Sequence, residues 1–305
     1  MINGIIIIDK EPGFTSHDVV AKLRGICGQK KIGHTGTLDP AATGVLPVCL
    51  GSATKLCDML TDRNKEYVAE LLLGVETDTQ DTTGQVLSRH AVTVTESEVR
   101  EACARFEGDY AQVPPMYSAL KVNGKKLYEL AREGKEVERQ PRHVMIHELE
   151  ILRLELPTVK FRTVCSKGTY IRTLCADIGA ALGCGGAMQS LRRTAVGAFR
   201  LDSALTIGEM QQRKDQGRLA EAVLPVDSVF AECPALHAVG AGVRLLDNGN
   251  VIPAELTEER QVYEPGRWVR FYRRPDSGTA GFAGIYAYDG ERQCYKPVKM
   301  FLEKE

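Results

Sequence analysis

The chain is 305 residues long and 43% hydrophobic, enough to bury the core of one large domain, or of a large domain with a small companion. Its 39 Lys and Arg against 40 Asp and Glu leave a formal net charge of −1, which excludes a uniformly basic body, so any polyanionic partner must be met by local patches. No apolar run approaches the roughly 18 residues of a membrane span, and the nine cysteines, odd in number and never spaced Cys-x-x-Cys, argue for reduced, mostly buried thiols against a disulfide framework or a zinc site.

The opening MINGIIIIDK has too short an apolar stretch and no basic start for a signal peptide, so the chain is expected in the cytoplasm. GIIIIDK reads as a strand, and SHDVVAKLRGICG as a helix with Ser16 as N-cap and Val19, Val20, Leu23 and Ile26 on one face. A buried strand is expected over 44–50, a helix over 52–62 and a strand over 66–74. VETDTQDTTGQV then reads as a polar, solvated loop without calcium-loop spacing. Thr95 with Glu98 forms a capping box for a helix turning Val99, Cys103 and Phe106 inward, and KKLYELAREG is a second helix closed by Gly134. Strands follow at about 144–155 and 158–166, then a helix in TYIRTLCADIGAALG with Ile171, Leu174, Cys175 and Ile178 at helical spacing, the strand RRTAVGAFRL, and a capping box of Thr206 with Glu209. The mixture has no strict βαβ rhythm, which favours an α+β layered sheet. Beyond Cys233-Pro234 the runs shorten, as in VRLLDNGNVIP, QVYEPGRWVRFYRR and GFAGIYAYDG, and predict a small β-rich domain over 234–305 after a first domain of 1–230.

KIGHTGTLDPAATGVLPVCLG, Lys31 to Gly51, carries the candidate chemistry. Gly33 and Gly36 free the backbone on both sides of His34 and Thr35, and Pro40 pushes Asp39 toward an extended conformation. The spacing alone leaves two readings, a turn-capping aspartate or a carboxylate held out for reaction. KEYVAE adds Tyr67 at a strand start, and SKGTYIRTLCADIG puts Tyr170 and Arg172 at a strand-to-helix junction. An arginine beside a carboxylate keeps it ionised and aimed.

With these residues in view, DKEPGFTSHDVV, GHTGTLDPAATGVLPVCLGSATKL, KEYVAELLLGVETDTQDTTG, PPMYSALKVNGKKLYELAREG and GTYIRTLCADIG together resemble the TruB family, the tRNA pseudouridine-55 synthases. The likeness runs through most of residues 3–200 in family order. It implies a pseudouridine synthase catalytic domain on a mixed, mainly antiparallel sheet flanked by helices, with an RNA-clamping insertion near 110–142 and a small C-terminal PUA-like RNA-binding domain. The implied reaction converts uridine 55 in the tRNA T-loop to pseudouridine by breaking the N1–C1′ bond, turning the base and rejoining it through C5. The formula is unchanged, so no cofactor and no metal are expected. The family's essential aspartate falls on Asp39, its ion-pairing arginine on Arg172, and the tyrosine that stacks on uracil and serves as base on Tyr67.

Further substrate-binding positions implied by the likeness are Tyr170 at the pocket, Leu191 as apolar wall, and His34, with Gly33, Thr35 and Gly36 around it, filling the space a flipped base vacates. Lys10, in the first motif, supports the catalytic loop. Lys30-Lys31, Lys121, Lys125-Lys126, REGKEVERQPRH and Arg192-Arg193 each read alone as a solvated face; grouped beside these motifs they are expected to form a phosphate-tracking groove, in a monomer acting on folded tRNA with no membrane partner. Arg270, Arg273, Arg274 and Lys299 extend this on the small domain. Two readings of other classes stay open: a non-catalytic RNA chaperone and a hydrolytic glycosidase, the latter weakened by a loop that offers one carboxylate where hydrolysis wants two.

Overall fold

The computed structural model describes residues 1–122, 124–273 and 281–302. Strand β1 (Gly4–Lys10) is buried along its length, as an unbroken isoleucine run covered on both faces requires. Helix α1 (Ser16–Cys27) turns Val19, Val20, Leu23 and Ile26 inward as expected, but its N-cap is Thr15 and not Ser16. The Asp18 N–H donates to Thr15 Oγ1 at 3.1 Å and the Thr15 N–H donates to Asp18 Oδ2 at 2.8 Å, a reciprocal box that leaves Ser16 free to turn inward.

Strands β2 (Ile32–His34) and β3 (Thr43–Leu50) follow. The helix expected over 52–62 is divided into a 3₁₀ run, Gly51–Leu56, and a short α2 (Cys57–Thr61). Thr54 Oγ1 donates to Gly51 O at 2.8 Å and tightens that first turn. Strand β4 (Lys65–Leu73) alternates buried and half-buried residues. The stretch expected to be a solvated loop contains a hairpin, β5 (Val75–Thr77) with β6 (Val86–Arg89). Helix α3 (Glu96–Ala104) carries the predicted Thr95–Glu98 box, and β7 (Gly108–Gln112), the ribbon β8 (Lys121–Val122) with β9 (Lys125–Lys126), and α4 (Leu127–Arg132) come next. Then come β10 (Arg142–Glu155), β11 (Thr158–Cys165), α5 (Ile171–Ala181), β12 (Gly186–Val196), β13 (Phe199–Arg200) and α6 (Ile207–Asp215), the last with its Thr206–Glu209 box.

The fold is α+β. Its main sheet has the order β1-β3-β12-β4-β11-β10-β7, with β2 added to β3 and β13 to β12. The β3–β12 pair is parallel and its other pairings are antiparallel. Gly44 sits in that parallel seam with φ 103°, and a side chain there would collide with the backbone of Arg193.

A second sheet, ordered β14-β16-β17-β18-β15, is formed by β14 (Ala235–Ala238), β15 (Ile252–Pro253), β16 (Trp268–Arg273), β17 (Gly281–Asp289) and β18 (Cys294–Met300). VRLLDNGNVIP, expected as strand, holds a helix instead, α7 (Ala241–Asp247), with Leu246 buried. The two sheets share apolar packing: Ile285 and Phe301 join Ile5, Val45, Val196 and Phe230 in one buried cluster. All nine cysteines are free thiols.

Candidate active site

The loop between β2 and β3 presents Asp39, and its two neighbours are tied down. The Leu38 N–H donates to Ser16 Oγ at 2.9 Å, and Pro40 O accepts from the Gly13 N–H at 2.9 Å and from Lys10 Nζ at 3.1 Å. Lys10 is fully buried, so its ammonium braces the loop from beneath; burial lowers its pKa while the Asp39 charge opposes that shift. Ser16→Ala would leave the buried Leu38 N–H without its acceptor, at an expected cost of about 1–3 kcal/mol. Thermal unfolding checks this, and an unchanged midpoint would contradict it.

Arg172, at the start of α5, meets the carboxylate side-on. Its Nε lies 2.9 Å from Asp39 Oδ2 and its Nη2 lies 3.5 Å from Oδ1. The Arg172 side chain is 6% exposed and that of Asp39 40% exposed, so the arginine is the buried anchor and the carboxylate the group facing the cleft. The remaining donors are committed: Nη1 donates to Thr79 O at 2.9 Å and Nη2 to Tyr117 O at 2.8 Å. A guanidinium held at every corner cannot swing away from its partner.

Tyr67 on β4 and Leu191 on β12 line the same apolar cluster as Leu38 and Ala42, which puts an aromatic ring and an aliphatic wall beside the carboxylate. Burial pushes the Tyr67 phenol above its ordinary pKa, and the charge of Arg193 pulls it back. Tyr170 is the N-cap residue of α5 and is clamped by Gln112, whose Nε2 donates to Tyr170 O at 3.0 Å while its Oε1 accepts from the Tyr170 N–H at 2.8 Å.

Two family models match in succession: the N-terminal domain of the TruB family pseudouridylate synthases over residues 24–171, and the tRNA pseudouridylate synthase B C-terminal domain over residues 172–231. A relative from Lachnoclostridium phytofermentans named tRNA pseudouridine synthase B is 51% identical over 99% of this chain and 100% of its own length. One of the same name from Alkaliphilus oremlandii is 45% identical over 100% of both chains. This chain belongs to the TruB family of pseudouridylate synthases. Among solved structures, a chain of a Cbf5-Nop10-Gar1 complex superposes with a TM-score of 0.71 at 28% identity, covering 98% of this chain and 85% of that one. A chain of an H/ACA RNP bound to a substrate RNA containing 2′-deoxyuridine gives 0.70 at 26% identity, with 98% and 85% covered.

In this TruB-family enzyme, Arg172 pairs with Asp39, the Asp39 charge reaches both Tyr67 and Tyr170, and Leu191 packs on the apolar cluster that holds Tyr67 and Leu38. His34 is half-buried, edge-on to His17 with ring centroids 5.2 Å apart, and its Nδ1 accepts from the Gly36 N–H at 3.4 Å. Burial, then the neighbouring His17 and Arg193, lower its pKa, so the ring is neutral at pH 7 and suited to stacking. Gly36 has φ 141°, as its expected freedom requires. Gly33 does not take a positive φ; a side chain there would lie 3.2 Å from Cys57 Sγ, so close approach explains the glycine. Thr35 is buried, with its N–H and Oγ1 both donating to Pro47 O, at 3.1 and 3.4 Å, which makes it a support for the loop.

Sequence reasoning missed two groups. Asp81, placed in a solvated loop, returns to the site with Oδ2 3.9 Å from Arg172 Nε and a side chain only 15% exposed. Its Oδ1 accepts from Thr79 Oγ1 at 2.8 Å, Thr83 N–H at 3.0 Å and Thr83 Oγ1 at 2.6 Å. The second is Arg193. Expected with Arg192 in a surface cluster, it is 1% exposed, because strand alternation turns it to the face of Leu191. Arg192 is paired, Nη2 to Asp9 Oδ2 at 2.8 Å, and stays partly exposed, so of the two arginines only Arg193 is withdrawn from the surface.

Arg270 Nε donates to Cys233 O at 2.8 Å and Arg273 Nε pairs with Asp247 at 3.3 Å, while Arg274 lies outside the described residues. Lys30, Lys31, Lys121 and Lys125 are exposed. The one grouping of His and carboxylate metal donors among the described residues, His237 with Glu258 and Glu259, belongs to the second sheet, where His237 Nδ1 pairs with Glu259 Oε1 at 2.6 Å. Among the described residues no helix is long and apolar enough to cross a membrane.

Proposed function

We propose that this pseudouridine synthase isomerises uridine 55 in the T-loop of tRNA, with Asp39 as its reactive carboxylate. The carrying observation is the contrast at the ion pair: a half-exposed Asp39 carboxylate 2.9 Å from a buried Arg172 guanidinium, beside Tyr67 and Leu191. The names of the relatives point to tRNA as the substrate class. A T-loop uridine is inaccessible while stacked, so it must leave the loop, with its ring entering between Tyr67 and Leu191 and His34 occupying the vacated stack.

Asp39 then attacks C1′ or removes the 2′ proton; both routes break the N1–C1′ bond and release uracil from the ribose while the enzyme holds it, and both need the same carboxylate against the ribose. The base turns, and C5 bonds to C1′ as the Asp39–C1′ ester bond breaks or, on the other route, as Asp39 returns the proton to C2′; the C5 proton is then lost and N1 gains one. Tyr67, as its phenolate, takes the C5 proton, and Tyr170 borders the pocket. No cofactor or metal enters this scheme. We propose further that 1–230 is the catalytic domain, that 110–142 clamps the T-arm, that 234–305 is a PUA-like RNA-binding domain, and that the protein acts as a cytoplasmic monomer.

Hydrolysis of the glycosidic bond is disfavoured by the state of the second carboxylate. Asp81 is close, yet its Oδ1 is filled by three donors and its side chain is turned from solvent, so it is poorly placed to activate water. Incubating wild-type protein with unmodified tRNA transcript and no additives, then mapping pseudouridine chemically, tests the proposal. The expected product is a single T-loop pseudouridine with no free uracil. Free uracil would mean hydrolysis, and tight binding without product would mean an RNA chaperone.

A further inference from the structure

Arg193 is a long cationic side chain sealed inside the main sheet. Among the described residues it has no carboxylate ion pair; its Nε donates to Val45 O at 2.7 Å and its Nη2 to Gly36 O at 3.3 Å. A buried guanidinium satisfied by carbonyls alone is costly to keep, so its position calls for an explanation beyond packing.

Its location gives one. In the register of the sheet Arg193 stands directly across from Tyr67 on β4 and beside Gly44 on β3. Gly36 and Val45 bracket the segment that carries Asp39, so one guanidinium grips both ends of the catalytic loop while facing the Tyr67 ring. The absence of a side chain at Gly44 lets the Arg193 backbone approach the start of β3. We infer that Arg193 is a positioning residue for the isomerisation, holding the Asp39 loop and the Tyr67 hydroxyl in one fixed relation. This rests on the proposed roles of Asp39 and Tyr67.

The charged and titratable groups around Arg193 fit that role. Lys10 on β1, Lys65 on β4 and His34 on β2 all feel its charge, and each has its pKa lowered first by burial and further by Arg193, Lys65 to about 8. Cys165 on β11 also lies within its field. Tyr67 is the neighbour directly across the sheet, and the Arg193 charge works against the burial that raises its pKa. Lysine could keep the charge but not the two-pronged hold on Gly36 and Val45, since a guanidinium fork and an ammonium differ in geometry.

The test is a double-mutant cycle under single-turnover conditions with enzyme in excess over tRNA. Arg193→Lys and Arg193→Gln are made alone and in a Tyr67→Phe background, with tRNA affinity and thermal midpoint measured for each. Two substitutions guard against loss of the fold by one. The expected result is a rate lowered about 10- to 100-fold by either change, less by Lys than by Gln, with tRNA affinity within about twofold of wild type. In the Tyr67→Phe background the same changes should lower the rate by a clearly smaller factor, because part of their effect passes through the missing hydroxyl. Equal factors in both backgrounds, or a loss that follows tRNA affinity, would overturn the inference. The wider reading fails by a different sign, an undiminished rate in Tyr67→Phe alone, and that result would remove the Tyr67 part of this inference with it.

Discussion

Asp39→Asn is expected to lower the single-turnover rate by at least about 10,000-fold while tRNA is still bound, the largest effect of any single change in this protein. Asparagine keeps the shape of the side chain and removes its charge. The loop that holds it relies on Leu38 N–H, Pro40 O and Asp39 O, none of which belongs to the side chain, so the fold around position 39 should persist. Arg172 retains Thr79 O and Tyr117 O as partners and stays in place. The measurement pairs product formation with tRNA affinity: lost product with retained affinity isolates chemistry, whereas appreciable turnover would remove Asp39 from the central role.

Tyr67→Phe and Tyr67→Leu separate the ring from its hydroxyl. If the tyrosine only stacks on uracil, phenylalanine should be near wild type and leucine impaired. With the Tyr67 oxygen as proton acceptor, both variants should lose about 100- to 10,000-fold in rate, the range of a positioned general base. Burial makes the hydroxyl hard to ionise and Arg193 works against that penalty, so the environment is built around the oxygen as well as the ring. Full activity in Tyr67→Phe would defeat the assignment and leave stacking alone.

Local signals made much of this fold legible. The boxes at Thr95–Glu98 and Thr206–Glu209 depend on residues three apart, and both formed as expected. The isoleucine run of β1 and the inward face of α5 are likewise short-range patterns. Ser16 was misread because its partner Leu38 lies 22 positions away, while its neighbour Thr15 satisfied the same cap. Asp81 escaped for a similar reason: the Thr79 carbonyl and Arg172, which draw its loop into the site, are 93 residues apart.

Arg193 had a usable signal. Leu191 and Arg193 flank Arg192 at period two, which sets Arg193 on the apolar face of Leu191. The adjacent pair of arginines hid it. The C-terminal α7 is seven residues long between glycines and asparagines, too short for helical periodicity to stand out. Because Ile285 and Phe301 share a core with Val196 and Phe230, removing the second sheet would uncover apolar surface, and RNA binding by that sheet is tested by exposed-charge substitutions in the full chain.

The most direct test of the central claim is a structure of the Asp39→Asn protein bound to a T-arm hairpin carrying its unmodified uridine. The account predicts the target uridine out of its loop, its base between Tyr67 and Leu191, and the position-39 side chain facing C1′ at about 3–3.5 Å. A uridine still stacked within the loop, or flipped with C1′ turned away from position 39 and toward another group, would contradict it.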